Sequence, residues 1–375
     1  MKKRIAVLTS GGDCSGLNAV IEGVVRTASK NGYEVIGYKM GYDGIYKNDY
    51  VVFDSEAVFD LSKRGGSVIG NSNKTNLFHF RNYDKDGNVF YTDVSDTAVK
   101  NMKAEGVEAL VVIGGDGSMT SARDFTRKGV NVVCVPKTID NDVPYTDRSF
   151  GYTTAYFHIA NALQSIRTTG ASHDRVMILE VMGRNAGWLA LEGGIGGNAD
   201  AILIPEINYN IDSVAKFLID RFNNGYKSTV ICVSEGAHER DKTQVAKIDE
   251  RYPDSVKLGG VGALLAKQLE DMVRPVTGQE VRSTCLGYIQ RGGDTNINDI
   301  ILGFRYGAAA VDAIIKKEYS KMVAVRGDKL TLVPIVDIVG NGPTGETSKG
   351  GAHNVELDND LVKTAQRMGI YLGEN

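Results

Sequence analysis

Short runs of apolar, mostly β-branched residues recur along the chain, and each ends in a loop rich in glycine or aspartate. Between many of them lie segments with the apolar spacing of an amphipathic helix. The apolar runs cover residues 5–8, 109–113, 130–135, 176–181, 201–204 and 230–233. The helix-like segments cover residues 17–30, 118–128, 211–223, 261–273 and 299–316. This alternation is typical of buried parallel strands and crossover helices, so it predicts an α/β protein with doubly wound sheets.

Ligands of doubly wound sheets bind beyond the carboxyl ends of the strands, so the loops after the apolar runs are the candidate sites. Four of these loops are Ser-Gly-Gly-Asp at 10–13, Gly-Gly-Asp-Gly-Ser at 114–118, Pro-Lys-Thr-Ile-Asp-Asn-Asp at 136–142 and Met-Gly-Arg at 182–184. All four combine glycine or small polar residues with carboxylates or arginine. We therefore expect a site for a charged ligand at this edge.

The composition narrows the possible partners and location. Glycine contributes 44 of 375 residues, against a usual share of about 7%, which favours tight turns and close approach of backbone to a ligand. The formal net charge of −3 gives no reason to expect binding to nucleic acid or to an anionic membrane. The sequence has no apolar stretch as long as a membrane span, and its N-terminus lacks the apolar region of a signal peptide. We expect a two-domain cytoplasmic protein.

The loop at residues 114–118 has the features of a phosphate site. Glycine lets backbone N–H groups approach an anion, and the helix that follows adds a partial positive charge. Asp116 would repel phosphate unless a divalent cation lay between them, which indicates Mg²⁺. A tight turn with Asp and Ser as helix caps would give the same sequence. The chain lacks a P-loop, a GxGxxG fingerprint after the first strand and a GxSxG elbow.

The loop at residues 136–142 adds two carboxylates and a hydroxyl. In an extended segment, Asp140 and Asp142 would point to the same side. One could accept a proton from a substrate hydroxyl while the other supports a metal or orients its partner. Thr138 offers a hydroxyl and a backbone N–H to phosphate. An Asx-turn with a helix cap is the alternative for this loop.

Five motifs in chain order resemble those of the 6-phosphofructokinase family, over residues 4 to about 325. They are Leu-Thr-Ser-Gly-Gly-Asp at 8–13, the loops at 114–118 and 136–142, Glu-Val-Met-Gly-Arg at 180–184 and Leu-Gly-Tyr-Ile-Gln-Arg-Gly-Gly at 286–293. The resemblance implies two Rossmann-like, three-layer α/β/α domains with mostly parallel sheets. Residues 1–150 with about 289–340 would bind ATP and Mg²⁺. Residues 151–288 would bind fructose 6-phosphate, and residues 341–375 would be an extension that packs on both.

The resemblance also implies a reaction, the glycolytic phosphorylation of the C1 hydroxyl of fructose 6-phosphate by ATP with Mg²⁺. Asp140 would accept the hydroxyl proton, and Asp142 would support the metal or the geometry. Thr138 would contact the transferred group, and Arg184 would offset the charge that develops on it. Asp116 would be the metal ligand. Such transfer depends mainly on positioning and electrostatics.

The binding residues that the resemblance implies fall into two sets. The nucleotide set is Gly12, Lys74, Gly115, Asp116, Gly117 and Ser118. The sugar-phosphate set is Thr138, Asp140, Arg175, Met182, Gly183, Arg184, Glu235, Arg282, Tyr288 and Arg291. Arg175 and Arg282 resemble a pair that the family supplies from a neighbouring subunit, which implies a homodimer or homotetramer.

Gly117 and Lys137 bear on the phosphoryl donor. Family members that use pyrophosphate typically carry Asp where this chain has Gly117, and that side chain would crowd and repel a nucleotide. Lys137, in contrast, is typical of the pyrophosphate enzymes. We expect ATP, because steric exclusion is harder to bypass than an added cation. A pyrophosphate-dependent enzyme and a non-catalytic regulatory subunit are the alternatives. A nicotinamide-nucleotide or lipid kinase, which the Gly-Gly-Asp-Gly segment alone would allow, is disfavoured by the loops at 136–142 and 182–184.

The effector site of bacterial relatives uses arginine and lysines at positions that correspond here to Glu22, Asn224 and Tyr226. Arg26, Arg167 and Lys227 remain in this region. An anionic effector such as phosphoenolpyruvate would meet a carboxylate instead of a guanidinium. The sequence therefore predicts that this regulatory site is lost or altered.

Overall fold

The computed structural model describes residues 3–249, 252–342 and 351–373. The strands within these residues are β1 (Lys3–Thr9), β2 (Tyr33–Tyr38), β3 (Tyr50–Phe53), β4 (Phe80–Tyr83), β5 (Val89–Thr92), β6 (Val107–Gly114), β7 (Val132–Pro136), β8 (Val176–Val181), β9 (Ala201–Leu203), β10 (Thr229–Ser234), β11 (Ala246–Asp249), β12 (Tyr252–Leu258), β13 (Val281–Cys285), β14 (Lys321–Arg326) and β15 (Lys329–Pro334).

The helices of the same residues alternate with these strands. They are α1 (Leu17–Lys30), α2 (Tyr42–Lys47), α3 (Ser95–Ala104), α4 (Asp116–Arg127), α5 (Tyr152–Ser172), α6 (Trp188–Gly196), α7 (Ile211–Asn223), α8 (Val261–Thr277), α9 (Ile297–Ile315), α10 (Ile335–Val339) and α11 (Asp360–Arg367). Short 3₁₀ helices cover Leu61–Lys63 and Gly287–Arg291. Among the described helices, none combines the length and apolar character that crossing a membrane requires.

The chain divides into two compact units. Within the described residues, the first comprises the chain up to Ile139, Val143–Thr153 and Arg291–Ala352. The second comprises Asp140–Asp142, Thr154–Gln290 and the chain from His353 onward. The stretch beyond residue 340 is thus shared between the two units.

The first unit is built on a seven-stranded sheet with the order β15-β14-β7-β6-β1-β2-β3. The five inner strands pair in parallel, and the edge strands β3 and β15 pair antiparallel. Alternate residues of β1, such as Ala6 and Leu8, join a core with α2, α3, α4 and α10. The β1 residues that alternate with these are also fully buried. Helices α1 and α9 contact the inner strands of the sheet outside that core. Burial on both faces explains the unbroken apolar runs.

The second unit is built on a four-stranded sheet with the order β13-β8-β10-β9, in which all pairs are parallel. Helices α7 and α8 form a core with one face of the sheet. Helix α6 contacts β9 and β10, and the close approach of Gly194 to Ile202 places it on the other face. The predicted α/β class, with mostly parallel sheets in two three-layer arrangements, is confirmed. The assignment of nucleotide to one unit and sugar to the other stays a prediction.

Most predicted element bounds are close to those observed, and β8, α1 and α7 match them. Strand β7 begins two residues later than predicted, at Val132. The sequence pattern missed the edge strands β3 and β15, because short edge strands with mixed polar and apolar positions resemble loops. It also missed β2 and β14, which are inner strands of the same sheet. The Gly/Thr/Ser-rich residues 340–351 predict a surface loop before a final helix, and that helix is present as α11. Most of the predicted loop, namely residues 343–350, lies outside the described residues.

Candidate active-site residues

In the first unit, the loop after β1 is held from two sides. The backbone N–H of Ser10 donates to the Ile113 carbonyl at 2.9 Å, and that of Gly11 donates to the Ser72 carbonyl at 3.0 Å. The Asn71 side chain donates to the Gly11 carbonyl at 2.5 Å. These bonds place the segment that contains exposed Lys74 beside the glycine loop.

The N-terminus of α4 carries the candidate phosphate site. Gly115 precedes the helix, Asp116 and Gly117 are exposed in its first turn, and Ser118 is buried. The Gly117 N–H donates to the Asp116 carboxylate at 2.8 Å. A Cβ atom added at Gly117 would meet no atom within 4 Å. The protein itself leaves this space open.

Lys137 extends from the end of β7 into the glycine loop. It is only 4% exposed, and its Nζ donates to the Gly12 carbonyl at 2.5 Å. A Cβ atom at Gly11 would lie 3.1 Å from the same Nζ. Lys137 therefore holds the loop that is predicted to bind the phosphoryl donor. The sequence alone suggested only a direct contact between Lys137 and the donor.

Arg291 lies at the same loop. Its Nη1 donates to the Asp13 carbonyl at 3.0 Å, and a Cβ atom at Gly12 would lie 3.0 Å from that nitrogen. The structure therefore brings Arg291, Lys137 and Gly12 together in the first unit. Arg291 was predicted as a sugar-phosphate contact, whereas its neighbours here belong to the predicted nucleotide set.

The metal ligands available in this region suit a magnesium ion that is bound partly by the protein and partly by a substrate. The described residues contain no cluster of three or more His, Cys, Asp or Glu side chains that could hold a metal by themselves. Asp116 offers one exposed carboxylate at a helix N-terminus. Mg²⁺ keeps several waters and commonly binds one or two carboxylates plus substrate phosphates. One carboxylate beside a phosphate cradle fits that mode.

The cysteine beside this loop is not a candidate nucleophile. Cys14 follows the loop directly and is fully buried. Burial raises the pKa of its thiol to about 12. Since a thiolate is the nucleophilic form, the thiol is inert near neutral pH.

In the second unit, the carboxyl ends of β8 and β10 present the Met182–Gly183–Arg184 loop and Glu235. The Glu235 N–H donates to the Val181 carbonyl at 2.7 Å, and the Glu235 carboxylate accepts from the Arg184 N–H at 3.1 Å. Gly183 has φ of +139°, which a side chain rarely adopts. Arg184 has φ of +51°, a left-handed conformation that is strained for arginine. The predicted sugar-phosphate residues Met182, Gly183, Arg184 and Glu235 thus lie together, and Arg184 is exposed.

Two residues that the sequence assigned no role support this loop. The Glu180 carboxylate accepts from Gly260 N–H at 2.8 Å and Gly262 N–H at 2.7 Å, at the N-terminus of α8. A carboxylate is favoured there by the helix dipole. The Gln290 side chain accepts from the Met182 N–H at 3.1 Å. The only signal in the sequence that could have pointed to Glu180 is its carboxylate within an otherwise apolar run.

The Asp140–Asp142 segment is not extended. Asn141 has φ of +54°, so the segment is bent, and the same-side placement that an extended segment would give to the two carboxylates does not apply. Asparagine tolerates the left-handed region better than most residues. Asp140 is 5% exposed and Asp142 half-buried. Thr138 is counted with the first unit, where its carbonyl accepts from the Ser149 hydroxyl at 2.8 Å.

Arg175 and Arg282 lie at the other end of this sheet. Arg175 precedes β8 and Arg282 is the second residue of β13, and both pair with Glu280, at 2.8 and 3.0 Å. Arg184 follows β8, so the length of that strand separates it from Arg175 by about 20 Å. The two arginines are therefore not brought together with Arg184 in one chain. Tyr288 is 77% exposed on the 3₁₀ helix Gly287–Arg291.

Comparison with known proteins identifies the family. The phosphofructokinase family model matches residues 4–314. An ATP-dependent 6-phosphofructokinase 2 of Clostridium perfringens is 49% identical, over 99% of this chain and 99% of its own length. An ATP-dependent 6-phosphofructokinase of Chloroflexus aurantiacus is 41% identical, over 100% of this chain and 98% of its own length. The solved phosphofructokinase of Saccharomyces cerevisiae aligns with a TM-score of 0.75 and 28% identity, over 90% of this chain and 45% of the yeast chain. The motifs, the fold and these relatives agree, and the chain belongs to the phosphofructokinase family.

Proposed function

We propose that the protein is an ATP-dependent 6-phosphofructokinase. It transfers the γ-phosphoryl group of ATP to the C1 hydroxyl of fructose 6-phosphate and releases ADP and fructose 1,6-bisphosphate, a step of glycolysis in the cytoplasm. The observation that carries this proposal is 49% identity over nearly the full length of a relative named for that activity.

The first unit binds the nucleotide. Backbone N–H groups of Gly12, Gly115 and Gly117 approach the phosphates at the N-terminus of α4, where the helix dipole favours negative charge. The Ser118 hydroxyl and the Lys74 ammonium add polar and charged contacts. Asp116 would hold Mg²⁺ together with phosphate oxygens and water, and the bound ion would neutralise charge on the phosphates.

The second unit binds the sugar phosphate and supplies the base. Met182, Gly183 and Glu235 form its wall at the carboxyl ends of β8 and β10, with Tyr288 as a further contact. Asp140 accepts the proton of the C1 hydroxyl as its oxygen attacks the γ-phosphorus and the bond to the ADP oxygen breaks. Asp142 supports the geometry, Thr138 contacts the transferred group, and Arg184 offsets its charge.

The choice of donor depends on Gly117 and Lys137. A Cβ at Gly117 would meet no atom within 4 Å, and this open space supports ATP as the donor. Lys137 keeps pyrophosphate as the second candidate, but its bond to Gly12 gives that ammonium a role that needs no pyrophosphate. Purified protein with Mg²⁺ and fructose 6-phosphate should be offered ATP, ADP and pyrophosphate in parallel while fructose 1,6-bisphosphate is followed. Turnover only with pyrophosphate would overturn the donor assignment, and no turnover with any donor would favour a regulatory subunit.

We also propose that Arg175 and Arg282 complete the site of a neighbouring subunit in a homodimer or homotetramer. Support comes from their position at the end of the sheet opposite Arg184. Two inactive variants, Asp140→Asn and the double variant Arg175→Ala with Arg282→Ala, should regain activity when they are co-expressed. One chain then supplies the base and the other the arginines. Mixed oligomers with no activity beyond that of the separate variants would contradict this arrangement.

Phosphoenolpyruvate at millimolar concentration should leave the rate unchanged. The Glu22 carboxylate pairs with Arg26 at 2.9 Å and accepts from the Ser62 N–H at 3.1 Å, and its side chain is 3% exposed. In the second unit, Arg167 pairs with Asp200 at 3.2 Å. Arg26 and Arg167, two of the cations that remain in this region, are thus neutralised within their own units. Initial rates at subsaturating fructose 6-phosphate measure this, and strong inhibition that Arg26→Ala abolishes would show that the site is functional.

A further inference from the structure

His353, which the sequence assigned no role, contacts the backbone of the Asp140–Asp142 segment. Its N–H donates to the Asp142 carbonyl at 2.9 Å. Its ring nitrogen Nδ1 lies 2.9 Å from the Asn141 carbonyl. A carbonyl can only accept, so Nδ1 carries the proton. Two consecutive carbonyls of the segment are thus bound by one residue near the end of the chain.

His353 is itself held from the opposite side by Trp188. The indole Nε1 donates to the His353 carbonyl at 2.7 Å, and the two rings pack with their centroids 4.8 Å apart. Trp188 is the first residue of α6, which follows the loop that carries Arg184. His353 therefore lies between the segment of the proposed base and the beginning of α6, all within the second unit.

The chain that follows His353 is anchored to the same unit. The Glu206 carboxylate accepts from the Val355 N–H and the Gly187 N–H, both at 2.9 Å. Further on, Tyr371 pairs with the edge of β9, where the Ile202 N–H donates to its carbonyl at 2.8 Å. These bonds fix the position of residues 353–373 against the sheet, so His353 is a rigid support for what it touches.

The bound segment needs such support. Asn141 is in the left-handed region with φ of +54°, a conformation that costs free energy and persists where the surroundings determine it. Asp140, whose carboxylate is the proposed base, directly precedes Asn141 in the chain. A displacement of a catalytic group by about 1 Å can cost on the order of 10²-fold in rate.

We propose that His353 is a positioning residue that holds the Asp140 carboxylate in place through its two hydrogen bonds to the Asn141 and Asp142 carbonyls. The inference rests on the proposed function, in which Asp140 is the base. In this role His353 acts on the segment of the proposed base and not on the nucleotide set. Its loss should therefore lower kcat and leave KM for ATP unchanged.

The test compares His353→Ala with His353→Asn, because the asparagine amide nitrogen lies where Nδ1 lies and keeps the donor to Asn141. We expect His353→Ala to lower kcat about 10- to 100-fold, and His353→Asn to recover most of that loss. Asn354→Ala, at the exposed neighbouring position, is the matched control and should behave as the wild type. Equal losses in the alanine and asparagine variants, or an unchanged kcat in His353→Ala, would overturn the proposal.

A second measurement separates this inference from the proposed function. Hydrogen–deuterium exchange, followed by mass spectrometry, should show faster uptake in the peptide around Asp140–Asp142 for His353→Ala than for wild type and Asn354→Ala. If uptake in that peptide is the same in all three proteins, His353 does not hold the segment. A wild-type protein without phosphofructokinase activity would instead refute the proposed function, and the exchange result would still decide whether His353 supports this segment.

Discussion

Replacement of Asp140 by asparagine is expected to lower kcat by on the order of 10²–10⁴-fold. The amide cannot accept the proton of the C1 hydroxyl, so the attacking oxygen stays protonated for longer along the reaction. KM for ATP and for fructose 6-phosphate should change little, since asparagine has nearly the shape of aspartate. Initial rates over a range of both substrates measure the two effects separately.

The control for this variant is Asp271→Asn, which removes an exposed carboxylate from α8 in the same unit. It should keep the wild-type kcat. Both variants should show the wild-type thermal unfolding midpoint within a few degrees, because neither introduces bulk. A loss of less than tenfold in Asp140→Asn would mean that another group accepts the proton.

The second large effect is expected from Gly117→Asp. A carboxylate at this position would face the phosphates of ATP, and juxtaposed like charges cost several kcal/mol. A cost of about 3 kcal/mol corresponds to a loss of about 100-fold in kcat/KM for ATP. The fold should tolerate the change, since a Cβ at Gly117 meets no atom within 4 Å.

Gly117→Asn separates charge from bulk, because it has the same shape without the charge. We expect it to lose much less kcat/KM for ATP than Gly117→Asp. Rates at several ATP concentrations and thermal unfolding midpoints should be measured for both variants. If Gly117→Asp keeps the wild-type kcat/KM for ATP, the nucleotide does not bind beside residue 117. If both variants lose kcat/KM equally, the bulk of the side chain and not its charge causes the loss.

Several parts of the fold that the sequence predicts well are buried on both faces, although the inner strands β2 and β14 were missed. Strand β8 and helix α1 lie in such layers, and their bounds follow from apolar spacing alone. Edge strands such as β15 have alternating and partly exposed residues, which a loop can also have. The carboxyl-edge loops were found because glycine, aspartate and arginine directly after buried strands are local signals.

Other parts of the site depend on contacts that are distant along the chain. His353 and Asn141 are 212 residues apart, and Glu180 binds the N-terminus of α8 from 80 residues away. No local pattern of residue types marks such a pair. The sequence could not choose between a bend and an extended segment at Asn141 for a related reason, since an Asp-Asn-Asp segment permits both extended and left-handed conformations. Only its three-dimensional surroundings select between them.

The measurement that tests the proposed activity most directly follows the phosphoryl group itself. Purified wild-type protein is incubated with Mg²⁺, fructose 6-phosphate and ATP labelled at the γ-phosphorus, and the products are separated. We expect the label in fructose 1,6-bisphosphate, in a one-to-one ratio to the ADP formed. Label that remains in ATP, or that appears only as inorganic phosphate, would contradict the assignment of this chain as an ATP-dependent 6-phosphofructokinase.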